Sequence, residues 1–257
     1  MEKAVARSDG PMVLPRAFAL LRLLASVPQG LNLSDISARL DVPKSSLSAT
    51  LKAMTEQEFL VRQGSLYHLG SASFSLASVI LAGRSIRQIA RPYLERTMDT
   101  CGETVLLAVL DTDMKSASYV DIIESPKSVR YSVSIGTRRP LYANASGRLL
   151  LAYASEAHQN KYLETVSLEA VTDKTIVERD TLQTVLNDIY KNGVSITLGD
   201  YSEDSAGFAA PIFNSDGEVV AALVIAVPIS RGLREKDRFR DVAIQSAQKI
   251  SKVLGHK

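Results

Sequence analysis

The sequence is poor in the features that mark secreted and membrane proteins. Cysteine occurs once, at position 101, so no disulfide can form within the chain. No apolar run approaches the ~18–20 residues that span a bilayer. The first twelve residues, MEKAVARSDGPM, lack the apolar stretch of a secretory signal. We therefore expect a cytoplasmic protein without a membrane partner.

Residues that carry catalytic chemistry are also few. His68, His158 and His256 fall in unrelated parts of the chain and predict no catalytic triad. No phosphate-binding loop, dinucleotide fingerprint or metal-ligand spacing occurs, so we expect no cofactor and no metal. We interpret Cys101 as a small apolar packing residue. The alternative is a small-molecule enzyme or binding protein whose N-terminal domain serves assembly.

Charge is distributed unevenly along a chain whose net charge is only +2. Residues 1–96 contain 12 lysines and arginines against 7 acidic residues, whereas the remainder contains 18 against 21. A basic front part on a slightly acidic body is typical of a nucleic-acid-binding module joined to a domain with another task. Chance variation is the alternative interpretation.

Hydrophobic spacing predicts three short helices in the front part, followed by a β-hairpin. The first helix starts at residue 16, Ser34 caps the second, and Pro43 occupies the first position of the third. Residues 59–69 form two strand-like runs with Gly64 in the turn between them. Two helices joined by a short turn and followed by a hairpin indicate a winged helix-turn-helix. A generic three-helix bundle could have the same helix spacing.

The third helix carries most of the residues that we expect to contact DNA. The spacing of Leu47, Leu51 and Met54 turns these residues inward and leaves a polar face outward. Serines on that face can bond phosphates or base edges, and lysines neutralise phosphates. A solvated polar face is the alternative. With the wing tip and the first helix, the predicted DNA-binding residues are Arg16, Lys44, Ser45, Ser46, Ser48, Ala49, Lys52, Arg62, Gln63 and Gly64.

The rest of the chain begins with a helical pattern and changes to strands at Glu103. Strand-like runs cover residues 104–110, 118–123, 131–135, 194–198, 208–213 and 219–227, and helical patterns cover 143–153, 156–163, 182–191 and 235–254. The residues from Asn214 to Gly217 form a hairpin turn signal. This order predicts an α+β domain with helices packed on an antiparallel sheet.

These patterns divide the chain into four parts. We expect a flexible tail over residues 1–12, a winged helix-turn-helix domain over 13–72, a linker helix over 73–96 and a C-terminal domain over 97–257. The apolar face of the linker helix has too little to pack against within the small domain. Packing against a second subunit would bury it.

An ordered set of segments resembles the IclR family of bacterial regulators over residues 14–255. In the front part these segments are RAFALL (16–21), LSDISARL (33–40), VPKSSL (42–47) and YHLG (67–70). In the rear part they are CGET (101–104), GTRRPLYA (136–143), SGR (146–148), AAPIF (209–213), DG (216–217), AAL (221–223) and VP (227–228).

The resemblance implies a one-component regulator that binds double-stranded operator DNA as a homodimer or homotetramer. It also implies a C-terminal domain of GAF-like fold that binds a small-molecule effector, typically a catabolic metabolite. Carried over by position, the effector pocket would be lined by Tyr131, Arg139, Ala145, Ser146, Asp200, Gly207, Val224 and Ala226.

On the third helix the sequence departs from the family pattern. Ser48 and Ala49 stand where the family often has His-Arg, so base readout by an arginine at that position is lost. The wing is also a few residues short. We therefore expect an operator that differs from those of other members.

The predicted pocket also departs from the family pattern. The segment between Asp200 and Gly207 is shorter than in the family. Gly207, Val224 and Ala226 are apolar and roomy where members that bind small α-keto acids offer hydroxyls and a thiol. We therefore expect an effector larger or more apolar than a two- or three-carbon acid, such as an aromatic compound. Plain core packing of Val224 and Ala226 is the alternative.

Overall fold

A computed structural model describes residues 13–82 and 85–256, and the tail predicted over residues 1–12 lies outside them. The described residues divide into two units, 13–82 and 85–256, and buried apolar clusters form within each of them. None of the described helices is both long and apolar enough to cross a membrane.

The first unit contains four helices and a small sheet. The helices are α1 (Val13–Ala25), α2 (Leu33–Leu40), α3 (Lys44–Glu56) and α4 (Ser71–Ala82), and the strands are β1 (Leu31–Asn32), β2 (Leu60–Gln63) and β3 (Leu66–Leu69). The strands pair antiparallel in the order β1-β3-β2, and β2 and β3 form the wing. The predicted winged helix-turn-helix is confirmed.

Apolar residues from all three leading helices meet in one core. Leu20 of α1, Ile36 of α2, and Leu47 and Leu51 of α3 are buried together with Leu60 of β2. Residues four apart lie on the same side of a helix, so burial of the two α3 leucines fixes which face of α3 remains in solvent.

Two helices begin at positions that differ from the prediction. Asn32 rather than Ser34 caps α2, because the Asn32 side chain accepts a hydrogen bond from the Asp35 N–H at 2.9 Å. Pro43 precedes α3 as its cap residue instead of lying within the helix. Asp41 ends α2 with a left-handed φ of 51°, which turns the chain sharply toward α3.

A glycine allows the wing to meet α4 closely. A Cβ atom at Gly70 would lie 2.1 Å from the carbonyl oxygen of Glu58. Beside this contact, the Ala72 N–H donates to the same carbonyl at 3.1 Å. The Ser71 Oγ donates to the Glu58 carboxylate at 2.8 Å. The direction in which α4 leaves the wing is therefore fixed by backbone contacts.

The second unit is a six-stranded sheet with helices on both faces. Its helices are α5 (Ile86–Cys101), α6 (Ala145–Ala152), α7 (Glu156–Thr165), α8 (Arg179–Asn192), α9 (Ile229–Arg234) and α10 (Lys236–Val253). Its strands are β4 (Thr104–Leu110), β5 (Ser116–Ile123), β6 (Arg138–Pro140), β7 (Ser195–Leu198), β8 (Ser205–Phe213) and β9 (Val219–Pro228). The order is β6-β5-β4-β9-β8-β7, and each pair of neighbours is antiparallel. The predicted α+β fold with an antiparallel sheet is confirmed.

The two faces of this sheet have separate cores. Helices α5 and α10 pack on one face, and α6, α7 and α8 contribute to the core on the other. Cys101, at the end of α5, is buried among apolar residues. Burial raises the pKa of its thiol to about 11, so the group stays protonated near neutral pH.

One predicted strand is absent. Residues 131–135 belong to an irregular connection, residues 124–137, between β5 and β6. The Tyr131 carbonyl accepts a hydrogen bond from the side-chain Oγ1 of Thr104 at 2.7 Å, so a side chain takes the place of a ladder partner. Backbone pairing with β5 begins only at Gly136, whose N–H donates to the Tyr119 carbonyl at 2.8 Å, so the alternating residues before it form no ladder.

The segment predicted as one linker helix, residues 73–96, is divided between α4 and α5. Helix α5 begins after Ser85, whose backbone is extended and whose N–H donates to Gln88 Oε1 at 3.3 Å. Leu94 of α5 is buried in the core of the second unit. The later part of the predicted linker is therefore part of the second unit.

Replacement of Gly70 by alanine should destabilise the first unit by about 3 kcal/mol, the upper part of the range for overpacking, because the clash is with backbone. Gly64→Ala is the control. It has a left-handed φ of 62° but open space around it, so it should lose roughly 1 kcal/mol. Urea unfolding of the full-length variants measures both. Equal losses would contradict the role assigned to Gly70.

Candidate functional site

Helix α3 presents six of the predicted DNA-binding residues along its outer side, namely Lys44, Ser45, Ser46, Ser48, Ala49 and Lys52. All are exposed except the half-buried Ser46. The N-terminus of α3 has no side-chain cap. Its first amides and the positive end of its dipole can therefore meet a phosphate.

The charges on α3 are weakly engaged. Lys52 forms an ion pair with Glu56 at 3.9 Å, and both side chains are largely in solvent. Such exposed pairs contribute at most about 1 kcal/mol. Lys52 can therefore exchange this partner for a phosphate at little cost.

The wing tip adds a second basic element. Arg62, Gln63 and Gly64 are exposed, and Arg62 Nε donates to the Gly64 carbonyl at 3.0 Å. The Arg62 guanidinium lies 5.7 Å from the ring centroid of Tyr67, its cross-strand neighbour. Arg16 differs from these residues, because it is half-buried in α1 and its Nε is enclosed.

In the second unit, a cavity lies between the N-terminal end of α6 and the sheet. It is lined by Tyr119, Tyr131, Asn144, Ala145, Ser146, Thr197, Tyr201, Ser205, Ala206, Gly207, Val224 and Ala226. These include all of the predicted effector-pocket residues except Arg139 and Asp200. The free volume is about 30 Å³, which is room for one or two water molecules.

Strand register explains the floor of this cavity. Thr197, Gly207 and Ala226 lie directly opposite one another on β7, β8 and β9. Opposed residues share one face of a sheet. A Cβ atom at Gly207 would lie 3.1 Å from both Ala145 Cβ and Thr197 Oγ1. The expectation of a roomy site at Gly207 is therefore wrong, because α6 lies directly against β8.

The walls combine aromatic rings with hydrogen-bonding groups. Burial, with a smaller effect of neighbouring Tyr131, raises the pKa of Tyr119, so its hydroxyl remains a donor. Asn144 Oδ1 caps α6 by accepting from the Gly147 N–H at 3.0 Å and from Ser146 Oγ at 2.6 Å. The N-terminal end of α6 faces the cavity and favours a negative group there.

The two remaining predicted pocket residues lie behind the lining. The guanidinium of Arg139 stacks on Tyr201, 4.5 Å from the ring centroid. Arg139 Nε is buried and has no hydrogen-bond partner among the described residues. The Asp200 carboxylate is occupied, because it accepts from Arg148 Nη1 at 2.6 Å and from the Leu198 N–H at 2.7 Å.

Comparison with known proteins decides the family. Residues 79–252 match the family profile described as "Bacterial transcriptional regulator IclR C-terminal", and residues 13–64 match "IclR helix-turn-helix domain". The chain belongs to the IclR family. Over 245 residues it is 30% identical to the transcriptional repressor IclR of Escherichia coli (strain K12), covering 94% of this chain and 89% of that protein. It is 29% identical to the regulator KipR of Bacillus subtilis (strain 168), covering 91% and 95%.

Solved structures agree with this assignment. The repressor BlcR of Agobacterium tumefaciens has a TM-score of 0.83 at 25% identity, covering 97% of this chain and 100% of that chain. An IclR homolog from Microbacterium hydrocarbonoxydans, solved in complex with 4-hydroxybenzoate, has a TM-score of 0.61 at 25% identity, covering 94% and 98%. The protein is thus an IclR-family transcription regulator with a helix-turn-helix DNA-binding domain and a C-terminal effector-binding domain.

Several lining residues of this IclR-family cavity were missed from the sequence. Thr197 is opposite Gly207, so pairing β7 with β8 could have found it. Tyr119 lies two residues after Ala117 on β5, and the two buried residues alternate with the less buried Ser116, Ser118 and Val120; this alternation could have placed Tyr119 on an inward face. Tyr201 lies in the turn between β7 and β8, where no periodicity indicates which way a side chain points.

Proposed function

We propose that this regulator binds operator DNA through α3 and the wing, and changes its operator affinity when a small aromatic carboxylate enters the cavity at α6. One observation carries the ligand class. Three tyrosines, Tyr119, Tyr131 and Tyr201, line the cavity, and the cation of Arg139 stacks on the last of them from behind.

Each feature matches one part of such a ligand. Tyrosine rings pack favourably on the faces and edges of another ring. The end of α6 and the unpartnered Nε of Arg139 favour a carboxylate. The 4-hydroxybenzoate in the Microbacterium homolog combines a ring with a carboxylate, which supports this class. The narrow free volume requires the lining to move when the ligand enters.

On DNA, affinity and sequence readout have different sources. Lys44, Lys52 and Arg62 supply positive charge toward phosphates. Ser45 and Ser48 are the exposed groups on α3 that can bond base edges. Because no arginine projects from the middle of α3, base contacts are few. Operator shape then contributes more of the specificity.

Two copies of the chain are proposed to act together, and the protein works in the cytoplasm, where operator DNA is accessible. We propose that exposed apolar side chains of α1 and α4 supply the contact face in the first unit. They are Val13, Leu14 and Phe18 of α1, and Phe74 and Leu76 of α4. Exposed apolar patches on small domains mark interaction sites, and a dimer matches the two half-sites of an operator. We propose no catalytic activity, metal or cofactor for this regulator.

The DNA-binding assignment is tested by replacing Lys44 and Lys52 with alanine. Affinity for DNA upstream of the regulator's own gene should fall. The slope of log K against log salt should flatten by about 0.9 for each phosphate that the variant no longer neutralises. A mobility-shift titration at several salt concentrations measures this. Lys174→Ala with Lys191→Ala removes the same charge from exposed positions of the second unit and should change neither quantity. An unchanged slope in the first variant would refute the assignment of α3.

The effector class is tested by calorimetric titration with benzoate, 4-hydroxybenzoate, pyruvate and glyoxylate. The aromatic acids should bind more tightly. Arg139→Gln should weaken their binding about tenfold to a hundredfold, as expected when a charge-assisted hydrogen bond is removed. Arg138→Gln is the control, because Arg138 is exposed and paired with Asp111 and Asp113. Binding of pyruvate or glyoxylate alone would overturn the proposed class.

The contact face is tested by sedimentation equilibrium. Phe74→Asp should lower the average mass toward that of the 27.9 kDa chain, because a buried unpaired charge opposes association. Val171→Asp adds the same charge at an exposed apolar position of the second unit and should leave the mass unchanged. A Phe74→Asp variant that associates like the natural chain would contradict the proposed face.

A further inference from the structure

The connection over residues 124–137 is unusually long for a segment without helix or strand. It has 14 residues, whereas most connections in compact domains have about 4–6. Irregular segments of this length are usually functional when they are ordered. The side chain of Tyr131, near its middle, lines the cavity.

The start of β4 holds this segment at two points. Thr104 Oγ1 donates to the Tyr131 carbonyl at 2.7 Å and accepts from the Ser125 N–H at 3.2 Å. Ser125 Oγ donates to the Gly102 carbonyl at 2.8 Å. The first part of the segment is therefore held by side-chain contacts. Its end pairs with β5 through backbone bonds, because the Gly136 N–H donates to the Tyr119 carbonyl at 2.8 Å and the Thr137 carbonyl accepts from the Tyr119 N–H at 3.0 Å.

Between these contacts lies a buried carboxylate with two cations. The Glu103 side chain is fully buried. Its Oε1 lies 2.6 Å from Lys127 Nζ and 2.7 Å from Arg231 Nε, and its Oε2 accepts from Arg231 Nη2 at 2.9 Å. Lys127 belongs to the segment, whereas Arg231 belongs to α9. Glu103 thus joins the segment to the helix that follows β9.

Arg231 also reaches the segment directly. Its Nη2 donates to the Val129 carbonyl at 2.7 Å, two residues before Tyr131. The same Nη2 bonds Glu103 Oε2, and Nε faces Oε1, so the planar fork meets both carboxylate oxygens while it holds the Val129 carbonyl. A lysine, with a single nitrogen, cannot keep this paired contact with the carboxylate. Helix α9 directly follows β9, the strand that supplies Val224 and Ala226 to the cavity.

We propose that Glu103 and Arg231 are positioning residues for the cavity: together they hold the segment 124–137, and with it Tyr131, closed over the ligand space. The inference rests on the proposed ligand-binding function of this cavity. With about 30 Å³ free, an aromatic acid enters only when the lining moves. Release of Val129 by Arg231 is the step that lets Tyr131 move away.

Trypsin cleavage measures how often the segment opens, because the protease cuts after Lys127 and Arg130 within it. Cleavage of a native protein follows the population of the locally opened form when opening and closing are fast. Arg231→Lys keeps the charge but gives up the fork, so cleavage after Arg130 should be about tenfold faster in the full-length protein. Mass spectrometry of timed digests measures the rate at each site.

The control is Arg234→Lys, on the same helix but largely in solvent, which should not change this rate. Cleavage after Lys174, outside the segment, separates local opening from a general loss of stability. A rate after Arg130 equal to that of the natural chain would overturn the proposal. So would a rise of the same size after Lys174.

A second variant serves if Arg231→Lys does not fold. Lys127→Gln removes the half-exposed cation that pairs with Glu103, so cleavage after Arg130 should rise severalfold. The rise should be smaller than for Arg231→Lys, because Arg231 still contacts Glu103. No change would count against the proposal. These digests need no ligand. A failure of the effector class would appear only in the calorimetry, as missing binding of 4-hydroxybenzoate to the natural protein.

Discussion

Helix α6 can lie against the sheet because two glycines have no side chains. A Cβ atom at Gly207 would press on Ala145 Cβ and Thr197 Oγ1, and one at Gly147 would lie 2.5 Å from the Leu141 backbone. Gly207 sets the distance between α6 and β8. Gly147 sets the distance between α6 and the segment around Leu141 that leads into it. The cavity exists where the N-terminal end of α6 meets the sheet, so its position and its polarity both follow from this close packing.

Buried charges keep α6 in this place. The Arg148 side chain is almost fully buried, donates from Nε to the Tyr142 carbonyl at 2.6 Å, and pairs with Asp200 beyond β7. Burying such a pair gains little net stability, but removing one partner leaves an unpaired charge and is costly. Arg148 and Asp200 therefore specify one position of α6 relative to the β7–β8 turn. That turn carries Tyr201, so the same pair also orders one wall of the cavity.

The helix-turn-helix and five of the six strands of the second unit could be predicted because their signals are local. Leu47 and Leu51 mark the inner face of α3 by spacing alone, and the residues from Asn214 to Gly217 mark a turn by composition. The family resemblance then placed six of the twelve lining residues. Tyr131 was assigned to a strand because apolar and polar residues alternate around it. Whether such a run becomes a strand depends on a free neighbouring edge, which is a property of the whole sheet.

A closed cavity weakens ligand binding and also makes regulation possible, because in both cases the ligand binds only the open form. A ligand that enters only the open form binds with an apparent affinity reduced by the fraction of molecules that are open. An opening free energy of about 1.4 kcal/mol corresponds to roughly a tenfold loss of affinity. A permanently open cavity would bind more tightly. A ligand that does not distinguish two states of the protein cannot shift the balance between them, however tightly it binds. Under the proposed closure, the contacts that hold Tyr131 over the ligand space separate an open form from a closed one, and a ligand that enters only the open form shifts the balance between them.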